Sequence, residues 1–496
     1  MVERFWSIPL VRVLIGGVFA TVGAYGIGHE ILDPSRIKLL IFVGLILLLI
    51  GLGTGNPALS MYLLTLYLPM MAFLRRALIP LAGWGALDPL VIVAPGVILF
   101  LGSFWFYKRF VMREPITDDT RIFRLVRWMI LIDFLQAANP KQGGLSVGLG
   151  GVIFYVVPLF WLILGRQYVN DRWLRRIMGT VFTMGVLVSL YGLKQTFYGF
   201  FPFEQQWVDI VNITSLDVNG LIRAFSTFSS GQEYSQYLAI GIAIGWLYVL
   251  KGRISMKIIG LVGTGVMGYA IVMASARGAI VTAATAIVIM TIMHAETVRG
   301  RVVMGFILGA VLTFVYMKIA HMHTSNPLVT HVVSGLANPL NSKDSSLAGH
   351  SGSLFSGILD GFKMPIGHGL GSTTTAGSKF GSSNGGTEVD VSNMFVSDGA
   401  VGGVIYVILL IYVVIEAFRQ AHLRKPLALG VLGIFVANAG QWVNGELYST
   451  ASLVWLFVSY LERQAPRIPH ISHREVFVKS PTLVPSSTNT TKIQKR

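Results

Sequence analysis

Long apolar segments follow one another along most of this chain, and they limit what it can fold into. Many have about 17–25 residues, the length at which an α-helix crosses the hydrocarbon core of a bilayer. Only 12% of the residues are charged, whereas soluble proteins carry about 25%. The expected fold class is therefore an all-α polytopic membrane protein with about fourteen transmembrane helices. The predicted spans are residues 9–26, 37–54, 57–77, 88–105, 124–139, 144–165, 174–199, 236–251, 254–273, 278–293, 300–320, 398–417, 426–441 and 448–463.

One long polar gap interrupts this series late in the chain and predicts a single large loop. It divides the chain into helices 1–11 in residues 1–320, a loop in 321–397, and helices 12–14 in 398–463. The basic segment 464–496 is rich in Pro, Ser and Thr. Such a composition cannot bury a core, so we expect a disordered cytoplasmic tail.

The net charge of +16 would suggest a nucleic-acid partner in a soluble protein. Here the Lys and Arg residues fall mostly in alternate loops, which the positive-inside rule places in the cytoplasm, where they meet anionic lipid. We therefore expect membrane lipid and no nucleic acid as a partner. The pair Arg75-Arg76 is an exception to this alternation. The opposite, outer face then holds loop 200–235, the turn 275–278 and the extracytoplasmic loop 321–397.

Two arginines on that outer face are candidate anion ligands. Arg223 precedes a predicted helix, and Arg277 lies in a tight turn between two helices. A guanidinium fork matches phosphate oxygens and keeps its charge at any working pH, so the two could hold a diphosphate. The alternative is that each one snorkels from a helix end to the interface. Lys194 is a third cation near a helix end, as a substrate ligand or an interfacial anchor.

The long loop carries the remaining candidates. Its glycine run, residues 367–371, either cradles phosphate through backbone N–H groups or simply permits turns. His350 and His368 are candidate bases or phosphate partners, or else ordinary surface residues. Glu388 and Asp390 precede the next membrane helix. A carboxylate there can take the proton of a sugar hydroxyl, or it can belong to a solvated acidic turn.

Four short motifs, all on this face, occur together in one order. They are Arg223-Ala-Phe-Ser-Thr-Phe228, Ser275-Ala-Arg277-Gly278, Pro365-Ile-Gly-His-Gly-Leu-Gly-Ser372 and Gly399-Ala-Val-Gly402. This order resembles the O-antigen ligase / Wzy polymerase family of bacterial membrane glycosyltransferases, over roughly residues 185–445. Tyr191-Gly-Leu-Lys-Gln195 also resembles the exopolysaccharide polymerase branch.

The resemblance implies a GT-C-like fold and a glycan donor on a polyprenyl diphosphate, such as undecaprenyl diphosphate. It assigns Arg223 and Arg277 to the donor diphosphate and requires no cofactor and no metal. Ligases of the family carry a histidine eleven residues before Gly399, where this chain has Glu388. Some members of the polymerase branch carry glutamate there, and many relatives carry arginine at the position of His350. The acceptor-activating residue is therefore left open.

The resulting expectation is a polysaccharide polymerase of the bacterial inner membrane that performs inverting transfer between lipid-linked oligosaccharides on the outer face. Glu388 would activate the acceptor hydroxyl, with His350 and His368 assisting and Asp390 and Lys194 near the substrate. Other polysaccharide-assembly proteins are further candidate partners. The alternatives are a ligase that moves finished glycan to a lipid or protein acceptor, and a transporter or flippase, which usually shows inverted repeats that we do not find.

Overall fold

The described residues form a bundle of α-helices with one short β-hairpin, whose two strands have two residues each. The computed structural model describes residues 36–85, 88–107, 111–112, 119–211, 217–218, 221–320, 324, 326–337, 347–380, 386, 389–443 and 447–467. The helices before the hairpin are α1 Ile37–Gly55, α2 Pro57–Ala77, α3 Ile79–Ala82, α4 Val93–Phe106, α5 Arg121–Ala137, α6 Leu145–Gly151, α7 Val157–Tyr168, α8 Asp171–Tyr198 and α9 Pro202–Val211. The hairpin pairs β1 Asp217–Val218 with β2 Leu221–Ile222. The later helices are α10 Gly231–Lys251, α11 Ile254–Met273, α12 Arg277–His294, α13 Val298–Ala320, α14 Pro327–Ala337, α15 Leu347–Lys363, α16 Thr375–Phe380, α17 Asp390–His422, α18 Pro426–Ala437 and α19 Tyr448–Gln464.

Nine helical segments of the described residues are long and apolar enough to cross a membrane. The chain is therefore a membrane-embedded, multi-pass helical protein. Every predicted span except the first coincides with a helix, and span 9–26 lies outside the described residues. Helices α5, α10, α18 and α19 are not among the nine because they are too short or less apolar.

The centre of the bundle explains why some helices are less apolar than a lipid-facing span. Helix α19 is buried from Tyr448 to Glu462 and packs against α7. Since its surroundings are protein, its hydroxyl groups can find hydrogen-bond partners, and Ser449 donates to the carbonyl of Leu68 at 3.3 Å. At the periphery, no part of the membrane-length window of α13 is buried, so its apolar side chains face outward.

Helix α17 is kinked at the place where the sequence predicts a helix to begin. The sequence predicts a start at residue 398, and the span from Asp390 to His422 consists of two helical parts that meet at a non-helical residue, Gly399, with φ 69°. A side chain at Gly399 would overlap the carbonyl oxygen of Pro365, so glycine is required both by the backbone and by the packing. The predicted loop 321–397 therefore contains α14, α15, α16 and the first turns of α17. The described part of the predicted tail ends at Arg467.

Candidate functional site

The segment that carries Arg223 is held by buried polar side chains. Arg76 on α2 donates to the carbonyls of Ser226 at 2.7 Å and Phe228 at 2.5 Å. Gln195 on α8 accepts from the backbone N–H of Ser226 at 2.6 Å. These bonds fix a strained backbone, because Ser226 has φ 51°, where non-glycine residues are uncommon. Arg223 therefore extends from a rigid support.

The pair Arg75-Arg76, which does not fit the alternation of basic loops, makes specific contacts within the protein. Arg76 is 1% exposed, and its guanidinium lies over the rings of Trp207 and Phe225. Its neighbour Arg75 forms an ion pair with Asp88 at 3.3 Å. Both arginines are thus held by protein contacts at the C-terminal end of α2.

The turn before Arg277 is tied to α14. Ser275 has φ 55°, and its hydroxyl donates to the carbonyl of Leu328 at 3.2 Å. The same oxygen lies 2.8 Å from Nδ1 of His331. The Arg277 side chain crosses the α14 residue Gly335, where an added Cβ would overlap Nη1. Only glycine at this position leaves room for the guanidinium.

Arg223, Arg277 and His331 form a cationic cluster. The Arg223 side chain lies against Gly231 at the start of α10, and an added Cβ there would be 3.3 Å from Nε. Burial, followed by the positive charges of Arg277 and Arg223, lowers the pKa of His331. Both guanidinium groups therefore lie close enough to the His331 imidazole to lower its pKa. The cluster lies at the end of the bundle where α11 ends and α10 and α12 begin.

An anion would relieve the repulsion within this cluster. Two permanent charges and one titratable imidazole from three separate segments converge there. The forks supply paired N–H donors that suit phosphate oxygens. An incoming phosphate would also favour the protonated imidazole, because an opposite charge stabilises the charged form. The arrangement is thus suited to hold a multiply charged anion at an end of the bundle.

The glycine run has a packing role in this structure. The N–H groups of His368 and Gly369 donate to the carbonyls of Val396 and Ser397, at 2.9 and 3.1 Å. The next two N–H groups donate to Gln136 O at 3.2 Å and Gln142 Oε1 at 3.0 Å. These four donors are already used within the protein. The predicted phosphate cradle is therefore replaced by a loop that joins α5, the Pro140–Gln142 turn and α17.

Of the predicted histidines and acids of the long loop, the structure describes the side chains of His368 and Asp390, and these two have different partners. His368 contacts Asp360 on α15, with Nε2 and Oδ2 2.8 Å apart. Asp390 is fully buried, and its Oδ2 accepts from Tyr406 Oη at 2.7 Å and Trp442 N at 2.8 Å. It therefore connects α17 to the segment after α18. Glu388 and the side chain of His350 lie outside the described residues.

Lys194 makes local contacts at the end of its helix. Its ammonium donates to the carbonyl of Gly199 at 2.8 Å and lies 3.4 Å from the centre of the Phe201 ring. Both partners are within seven residues in the sequence. The contacts fit the interfacial anchor that was the alternative reading of this residue.

Sequence reasoning missed His331, Ser275 and Arg76 as parts of the site. His331 is in a short apolar helix with no motif around it, so no local pattern indicated its role. The sequence did single out Arg76, because its positive charge falls at an end of a predicted span that the alternation of basic loops does not place in the cytoplasm. No protein-family model, no curated protein and no solved structure matches the chain.

Proposed function

We propose that the chain is a membrane glycosyltransferase that polymerises polysaccharide from a polyprenyl diphosphate-linked glycan donor and a lipid-linked glycan acceptor. The observation that carries the proposal is the convergence of Arg223 and Arg277 on His331 at one end of membrane-length helices. A polyprenyl diphosphate has its isoprenoid chain in the bilayer and its charge at the interface, so such a cluster is suited to bind it.

The proposed reaction is a single displacement with inversion. The acceptor hydroxyl oxygen attacks the anomeric carbon of the donor sugar, and the bond from that carbon to the diphosphate oxygen breaks. The hydroxyl proton passes to a base, for which the family resemblance offers Glu388. The diphosphate leaves with an additional negative charge, and Arg223 and Arg277 stabilise that charge as it develops. The donor bond supplies the driving force.

In this scheme His331 responds to the donor. Its neighbours and its burial lower its pKa, so the free site favours the neutral imidazole. A bound diphosphate favours the protonated form and converts His331 into a third cationic partner. Ser275, with its hydroxyl 2.8 Å from Nδ1, orients the ring.

The size of the lipid-linked glycans in a strain that lacks this protein tests the proposal. We expect single repeat units to accumulate on the polyprenyl carrier, measured by mass spectrometry of extracted lipids. Wild-type protein should restore long polymer. Long polymer that remains on its carrier would instead indicate the ligase. An unchanged lipid-linked pool would refute glycosyl transfer and favour a transporter.

The contact between Gly335 and Arg277 gives a sharper prediction. Gly335→Ala should displace the flexible end of the Arg277 side chain and reduce polymer formation by about tenfold or more, with little loss of stability. Gly278→Ala is the matched control, because an added Cβ there meets nothing within 4 Å. Polymer yield and the thermal midpoint of purified protein should be measured for both. Equal yields from the two variants would contradict the proposed role of the guanidinium position.

A further inference from the structure

Two buried carboxyl groups face each other away from the cationic cluster. Asp133 on α5 is 0% exposed, and Asp398 on α17 is 2% exposed. Within the described chain, no other group donates a hydrogen bond to any of their four oxygens. Their side chains interact with each other. A hydrogen bond between two carboxyl groups can form only if one of them carries a proton.

The pair lies where three segments meet. Asp133 is one helical turn before Gln136, whose side chain donates to Ile366 O at 2.6 Å and whose carbonyl accepts from Leu370 N at 3.2 Å. Asp398 follows Ser397, whose carbonyl accepts from Gly369 N. The glycine loop, defined as residues 365–374, is thus bonded to α5 on one side and to the kink of α17 on the other.

A chain of three hydroxyl groups starts at the residue next to Asp398 and enters the glycine loop. Tyr155 Oη lies 2.7 Å from Thr373 Oγ1, which lies 2.7 Å from Ser397 Oγ. Tyr155 and Ser397 are fully buried, and Thr373 is nearly so. Asp133 and Asp398 are also almost inaccessible to solvent, so a second negative charge on the pair would have little hydration.

Two ionised carboxylates could not coexist in this environment. Like charges in contact repel, and burial removes the hydration that would offset the repulsion. One retained proton removes the repulsion and supplies the missing donor. A metal ion fits this pair less well than a proton does. The described residues contain no group of three or more His, Cys, Asp or Glu side chains that could hold a metal ion.

We propose that Asp133 and Asp398 form a one-proton binding site that holds the glycine loop between α5 and the kinked start of α17. With the proton bound, the three segments are joined. When the proton leaves, two buried charges face each other and the junction opens to admit water. The loop bears His368 and precedes α16, so opening changes the structure of the region that the sequence marked as functional. This inference does not depend on the proposed reaction.

Other titratable groups lie near the pair. From α17, Asp390 and Tyr406 are hydrogen-bonded to each other, and Tyr155 approaches from the segment before α7. The glycine loop itself bears His368, which contacts Asp360 on α15. That contact is another pair of titratable groups at the loop, so the experiment must separate the two pairs.

Hydrogen–deuterium exchange of the full chain in lipid nanodiscs tests the proposal. Exchange of peptides from the glycine loop is followed from about pH 6 to about pH 10, the range in which buried carboxyl groups titrate, with correction for the intrinsic rate. Protection should be high at low pH and fall as pH rises, by up to about tenfold per pH unit once the proton is lost. Peptides from α10 should show no such change.

Asparagine variants identify the groups responsible. Asp133→Asn provides a permanent donor and leaves one negative charge, as the shared proton does, so its loop should stay protected at every pH. The loop of Asp398→Asn should be protected in the same way. This variant replaces Asp133→Asn in the experiment if Asp133→Asn does not fold. Asp360→Asn removes the other titratable pair and should keep the wild-type pH dependence.

Three results would overturn the proton site. One is a wild-type loop whose protection does not change with pH. Another is a wild-type pH dependence in both asparagine variants. The third is protection that disappears when sodium is replaced by choline, because the ligand would then be a metal cation.

Discussion

Alanine in place of Arg277 or Arg223 is expected to reduce polymer formation by about 10²- to 10³-fold, the cost of removing a preorganised group that stabilises developing charge. Each variant removes one guanidinium fork from the cationic cluster and leaves the helices intact. The measurement is chain elongation in proteoliposomes supplied with lipid-linked repeat units. The loss should appear in kcat as well as in kcat/KM, because the negative charge on the diphosphate increases as the bond breaks.

Lysine variants separate charge from geometry at the same positions. Arg277→Lys and Arg223→Lys keep the positive charge but lose the planar fork, so intermediate activity is expected. The two alanine substitutions should also be less than additive when combined, because both arginines act on one leaving group.

Arg176→Ala is the matched control for loss of a positive charge. Arg176 is exposed near the start of α8, and its guanidinium lies over the ring of Trp173. This end of α8 is remote from the cluster, so polymer formation should not change. Normal polymer from correctly inserted Arg277→Ala protein would contradict the assignment of the cluster to the donor diphosphate.

The helices and the proximity of the two arginines could be predicted for simple physical reasons. Membrane-length apolar segments must form helices in a bilayer, because their backbone groups have no water to bond with. Consecutive antiparallel helices return to the same face, so Arg223 before α10 and Arg277 before α12 had to lie at one end. This argument needs only the order of the spans.

The sequence left two readings of the glycine run open because the run's partners are distant in sequence. Gly367 and Gly369 have φ of 77° and 101°, which fits either a phosphate-binding loop or a packed turn. The acceptors of these loop N–H groups are Gln136, Gln142, Val396 and Ser397, and the first two are not near any motif. Local sequence gives the backbone freedom of such a loop, whereas tertiary contacts decide what its donors bind.

His331 and the Asp133–Asp398 pair were missed for a related reason. His331 and Asp133 are isolated among apolar residues of their helices, and Asp398 follows other polar residues of α17, so the local sequence does not show what lies opposite any of them. Asp133 falls inside a predicted span, and an ionisable residue at such a place usually has a functional or paired role. Its partner is 265 positions away in the sequence, so only the folded chain shows the pairing.

Arg76→Ala is expected to be the most destabilising substitution outside the cluster. The carbonyl of Phe228 would lose the bond from Arg76, and the carbonyl of Ser226 would keep only the longer bond from Gln195 Nε2 at 3.2 Å. Loss of these bonds to a buried charged group should cost about 3–5 kcal/mol. The segment that supports Arg223 would also lose its anchor, so polymer formation should fall even in the protein that remains folded.

Arg75→Ala provides the adjacent control. Arg75 shares Asp88 with Lys38, whose ammonium lies 3.0 Å from the same carboxylate oxygen, so Asp88 keeps a partner when Arg75 is removed. The expected cost is about 1.5–3 kcal/mol, the range for one bond to a charged group. Thermal midpoints in one detergent should therefore fall further for Arg76→Ala than for Arg75→Ala. If the two midpoints fell equally, the lost charge itself would be responsible, because the bonds to Ser226 and Phe228 belong to Arg76 and the two residues share only their charge.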